Sequence, residues 1–131
     1  MSTEENKGIV RRFAEAFTNR DHASLNEVLA PDLAKEVIEQ WLPGNDACWA
    51  DHRVEVADIM AEGDRVSALL AASGRHIGEW MGLPATGRTW TNQIALFCRV
   101  ESGKIVKWIA VISDINNRAS QLGGVLRALP Q

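Results

Sequence analysis

The order of periodicities along this chain predicts an α+β fold, a curved antiparallel sheet wrapped on N-terminal helices. Apolar residues recur at helical spacing up to about Leu42, alternate at a period of two from His52 onward, and return to helical spacing after Asp114. Short turn sequences, Gly63-Asp64, LPATG and ESGK, separate the middle runs, which fits a meander of adjacent strands rather than parallel strands with crossovers. At 131 residues the chain can bury a real core and reads as one domain, residues 1–131.

Each element has its own local cause. Ser2 followed by Glu5 fits a capping box, and Ile9, Val10, Phe13 and Phe17 share one face of a helix predicted from about Thr3 to Arg20. Asp21 is placed to cap a short second helix carrying Leu25, Val28 and Leu29, which Pro31 closes. A third helix carries Leu33, Val37, Trp41 and Leu42 and is predicted to stop at Pro43-Gly44. Four strand-like runs follow: RVEVADI, RVSALLAASGRHIGEW, RTWTNQIALFCRV and KIVKWIAVISD. Ile115, Ala119 and Leu122 form a last helical stripe that Gly123-Gly124 terminates.

Charge and composition remove several function classes. With 14 basic against 17 acidic side chains, the chain lacks the basic excess that captures nucleic acid or an anionic membrane. The segment MSTEENKGIV does not resemble a secretory signal, and no apolar run approaches the ~20 residues that span a bilayer, so a cytoplasmic location is expected. Cys48 and Cys98 stand far apart without a suitably spaced His, so neither a disulfide framework nor a metal site is expected. Runs such as IALFC and IVKWIAVI are apolar on both faces. One face can cover the helices and line a small-molecule cavity, and a second copy of the chain is expected to cover the other.

Five stretches in this order, NKGIVRRFAEAFTNRD, LAPDLA, VADIMAEGDRV, HIGEWMGLPATGR and VESGKIVKW through SDINNRASQLG, resemble the SnoaL-like polyketide cyclases. These ester-cyclase-like proteins belong to the nuclear-transport-factor-two-like, cystatin-like superfamily. The resemblance implies a cone-shaped α+β barrel with an internal pocket, acid/base chemistry without a cofactor, a small, apolar ketone-containing substrate and a homodimer. Two departures stand out. The segment PDLAKEVIEQWLPGNDACWADH is compressed and lacks the His the family pattern places there, and the last strand is one residue longer than usual, which a bulge in KWIAVIS would reconcile.

By that resemblance Asp114 is the acid/base residue, removing a proton next to a carbonyl so that the enolate closes a ring by intramolecular aldol attack. Its position before Ile115 equally suits a helix cap, and the two roles are compatible. His76 reads either as a group that orients the substrate carbonyl or as a structural His bonded to the hairpin. Gly78, Gly82, Pro84 and Gly87 read as turn formers, with Trp80 and Met81 on the pocket rim. Neighbours in a strand alternate faces, so one of Asn92 and Gln93 should point inward, and Trp90 shares the face of Asn92. Phe13, Phe17, Trp41 and Trp108 complete the expected aromatic walls. His22, His52 and Asp58 are expected to be exposed. The same proton abstraction serves a double-bond isomerase of the ketosteroid type, and a non-catalytic dimeric binding module is the other reading.

Overall fold

The computed structural model describes residues 2–113 and 115–124. Four antiparallel strands in sequential order form the sheet: β1 (Trp49–Glu62), β2 (Arg65–His76), β3 (Thr89–Glu101) and β4 (Lys104–Ile112). Their inner face carries Val54, Leu70, Trp90, Leu96 and Ile105, all buried. The helix α1 (Thr3–Thr18) lies against that face through Val10, Phe13, Ala14 and Phe17. This is the curved-sheet α+β architecture the sequence predicts.

The caps behave as their residue types require. The Glu5 amide donates to Ser2 Oγ at 3.1 Å, and the Ser2 amide to Glu5 Oε1 at 3.3 Å, which completes the capping box. Asp21 caps α2 (His22–Val28) by accepting from the Ser24 amide at 3.1 Å. The Ala30 amide donates to the Ile105 carbonyl at 2.9 Å and so pins the corner after α2 to β4.

The third helix does not stop at Pro43-Gly44. It runs through α3 (Pro31–Glu36), a π turn (Val37–Trp41) and α4 (Leu42–Cys48) without a break. In a regular α-helix the Pro43 ring would press on the carbonyl of Glu39. Here the Leu42 amide reaches back five residues to the Val37 carbonyl. The wider turn loosens the coil just before the proline, and the helix survives it.

Three breaks in register shape the sheet. The β1–β2 pairing steps from Ala50↔Arg75 to Arg53↔Ser73, with Asp51 at φ 54°, and slips again between Val56 and Asp58. The β3–β4 pairing steps from Arg99↔Lys107 to Val100↔Ile105, so the extra residue of the last strand is Val106, just before KWIAVIS rather than within it. The final helix α5 (Ile115–Gln121) is held over β3 by the Gln121 amide, which accepts from the Thr91 amide and donates to its carbonyl, both at 2.8 Å. No helix among the described residues is long and apolar enough to cross a membrane.

Candidate active site

Between α1, the π turn and the inner face of the sheet lies a cavity of about 190 Å³. Phe13 and Phe17 from α1, Trp41 from the π turn, and Leu70, Ile94 and Leu96 from the sheet make it apolar. Three polar side chains break that lining: Asn45, His52 and Arg118. A larger depression of about 630 Å³ is bordered by Arg53, Glu55, Thr91 and Gln93, all exposed, and lacks the apolar enclosure that retains a small molecule.

His52 is buried, not exposed, and the cause is the first bulge. Regular alternation from the buried Trp49 would turn His52 outward. The extra residue at Asp51 shifts the phase by one, so His52 and Val54 both face inward. Arg20 then fixes the ring. Its Nη2 lies 3.3 Å from His52 Nδ1 and 2.5 Å from Asp46 Oδ1, and its Nη1 donates to the carbonyls of Phe17 and His52 at 2.9 and 3.1 Å. A guanidinium has only donors, so Nδ1 accepts and the ring hydrogen sits on Nε2. Burial first, then the charges of Arg20 and Arg118, push the His52 pKa down to about 4, with Asp46 opposing. At neutral pH the ring is therefore an uncharged N–H donor.

The stripe read from the sequence, Ile115, Ala119 and Leu122, passes over Arg118. A signal was present, since Ile115, Arg118, Ala119 and Leu122 occupy the i, i+3, i+4, i+7 positions of one buried stripe. The side chain is 5% exposed. Its Cζ stands 3.7 Å from the Trp90 ring centroid, with Trp80 and Trp49 at 5.5 and 5.6 Å. Nη2 donates to Asn92 Oδ1 at 3.0 Å, while Nε is buried without a partner among the described residues. Among the described residues no carboxylate forms an ion pair with it. Burial lowers its pKa to about 10, so it stays a cation at neutral pH.

His76 is fully buried and is absent from the cavity lining. Its Nδ1 accepts from the Thr86 amide at 3.3 Å and lies 3.0 Å from Thr86 Oγ1, and its ring packs 5.4 Å from Trp49. Nε2 is buried with no partner. The ring buckles the segment from Ile77 to Arg88, whose base is closed by His76–Arg88 and Gly87–His76 backbone bonds of 2.8 Å each. At its tip Trp80 and Leu83 exchange backbone bonds around Met81 (φ 47°) and Gly82 (φ 84°), a type I′ turn. The amides of Ile77 and Gly78 donate to the Cys48 carbonyl at 2.8 and 3.2 Å, so the segment folds onto the end of α4. Gly78 is required there because a Cβ would stand 1.9 Å from the Ala47 carbonyl oxygen.

The other expected site residues divide. Trp41 stacks on Trp108 at 4.9 Å and 13°, and Phe13 meets the same indole edge-on at 4.9 Å. Trp90 is 1% exposed and shares the inner face with Asn92, as alternation requires, while Gln93 is exposed on the outer face. Trp80 packs on Trp49 at 5.4 Å, whereas Met81 is 61% exposed at the turn tip, away from the cavity. His22 and Asp58 are exposed. Asp114 lies outside the described residues.

Residues 7–119 match the SnoaL-like polyketide cyclases. The chain belongs to that family. A relative in Streptomyces peucetius, the aklanonic acid methyl ester cyclase DnrD, is 38% identical over 52 residues, which cover 40% of this chain and 36% of DnrD. The match therefore spans about a third of that protein's length. Two solved structures are similar over nearly their whole length. IdmH of Streptomyces antibioticus, a candidate polyketide cyclase, superposes with a TM-score of 0.79 at 27% identity, covering 90% of this chain and 98% of its own. TsrD of Streptomyces laurentii gives 0.81 at 22% identity, covering 95% and 99%, and speaks for the fold alone. This SnoaL-like chain thus has an apolar cavity between its helices and sheet, with three polar side chains in the lining.

Proposed function

We propose that the protein is a cofactor-independent acid/base cyclase that closes a ring by intramolecular aldol condensation in a small keto or ketoester substrate. The observation that carries this reading is an apolar cavity furnished with a neutral imidazole N–H. A developing enolate needs a donor that does not itself give up a proton, and His52 meets that need because Arg20 occupies its Nδ1. Asp114 takes the proton next to the carbonyl; it stands two residues after Ile112 and four before Arg118, both of which line the cavity. The enolate carbon then attacks the internal carbonyl, and the proton held by Asp114 returns to the new alkoxide. The naming of DnrD as a methyl ester cyclase supports the choice of substrate class. In this reading His76 holds the loop.

A tryptophan-fluorescence titration with one- and two-ring aromatic ketones and ketoesters, with absorbance followed in the same cuvette, tests it. With five tryptophans and no tyrosine the emission is indole. Saturable quenching accompanied by ketone turnover that Asp114→Asn abolishes is expected. Binding without turnover in the wild type would replace the cyclase with a binding module, and a shifted double bond without ring closure would make it an isomerase.

We infer also that a second copy covers the outer sheet face. Met60, Ser67, Phe97 and Ile109 pair across the strands in one row, and Met60, Phe97 and Ile109 are 64%, 50% and 66% exposed. Light scattering at micromolar concentration should give a dimer mass that Ile109→Lys halves, and a monomer in the wild type would overturn this.

A further inference from the structure

We infer that the polar side of the cavity is an anion receptor in which Arg118 takes the carboxylate of a one- or two-ring aromatic acid, leaving the His52 N–H to the carbonyl that becomes the enolate. The inference rests on reading this cavity as the substrate site. A buried guanidinium is costly unless an opposite charge meets it. Asn92 supplies only one neutral acceptor, and Trp90 only the face of a ring. Nε is sealed in protein with no described partner, so the chain's described residues leave the charge of this cavity-lining guanidinium unmet.

Geometry narrows the occupant. Arg118 lies 3.7 Å and the His52 ring 6.0 Å from the same indole, Trp90, and the charge of Arg118 acts on His52, so the two are neighbours in the cavity lining. Among the described residues no carboxylate lines the cavity. The remaining walls, Phe13, Phe17 and Trp41, offer flat aromatic surface. At about 190 Å³ the space is smaller than the ~300 Å³ at which pockets for drug-sized molecules begin. A four-ring ligand would have to leave most of itself outside, whereas one or two rings fit. The planar fork of an arginine is matched to a two-oxygen acceptor such as a carboxylate, which gives the receptor its preference over a neutral amide of the same shape.

The test compares 2-naphthoate with its neutral isostere 2-naphthamide by isothermal titration calorimetry on the full chain. Naphthoate should bind about tenfold tighter or more, the scale of one charge-assisted hydrogen bond. Arg118→Met should abolish that preference and bring the two probes to equal affinity, while Arg118→Lys, which keeps the charge without the fork, should retain part of it. Equal affinities in the wild type, no binding of either probe, or a preference that survives Arg118→Met would overturn the inference. If Arg118→Met fails to fold, the wild-type comparison together with Arg118→Lys decides. Turnover is not read in this experiment. Loss of the ring-closing reading through Asp114→Asn therefore leaves the receptor standing, and equal affinities with turnover intact would remove the receptor alone.

Discussion

His52 and His76 sit close together on one hairpin, on the same inner face, yet they are held in opposite ways. His76 pairs with Trp49 across β1 and β2, and His52 belongs to the bulge two positions further along. His76 is fastened by a threonine of its own loop and its Nε2 ends in packed protein, while His52 is fastened by an arginine from the end of α1 and borders the cavity. Two buried imidazoles thus perform different work because of what holds Nδ1 and what Nε2 faces. A glycine-rich, proline-containing motif advertises backbone constraint. A reactive side chain is advertised by nothing comparable.

Perturbing each side separately sharpens the contrast. The largest effect is expected from Gly78→Ala, whose new Cβ would overlap the Ala47 carbonyl; the loop must leave α4, at a cost of ~3 kcal/mol in urea unfolding. His52 should dominate the acid limb of stability. The unfolded chain binds its proton near pH 6.5 and the folded protein only at about 4, so stability is full above 6.5 and falls between 6.5 and 4. The drop is about 2 to 3 kcal/mol. Melting curves across that window should show it, and His52→Gln should flatten it; a wild-type melting temperature unchanged from pH 7 to 4 would break the comparison. Thr86→Val removes the hydroxyl beside His76 Nδ1 and should cost ~1 kcal/mol in the same unfolding assay while leaving 2-naphthoate affinity within twofold. The smallest effect belongs to Met81→Ser at the exposed turn tip, within about 0.5 kcal/mol and without change in naphthoate binding.

The fold was legible because its signals are redundant. The capping box at Ser2, the stripe of Val10, Phe13 and Phe17, and four strand-like runs separated by turn sequences all point to one architecture. The site was less so, for three separate reasons. A bulge is a change of phase, visible only as a parity switch between Trp49 and Val54, and an alternation argument begun at His52 loses it. A buried arginine looks like any surface arginine until the stripe it interrupts is counted. Pro43-Gly44 is a sound stop signal for an α-helix, and a π turn is the one local change that defeats it. Asn92 and Trp90 were readable because β3 keeps strict alternation past them.

That π turn also makes the site depend on chain length as well as on side-chain identity. Each residue added to or removed from a helix turns everything beyond it by ~100°. Trp41 and Asn45 reach the same cavity from either side of Leu42. Deleting Ile38, Glu39 or Gln40 would leave every lining side chain chemically intact and still swing Asn45 off the cavity wall. The segment therefore carries its function in its arithmetic, and a neutral-looking indel there would be as disabling as the loss of a donor.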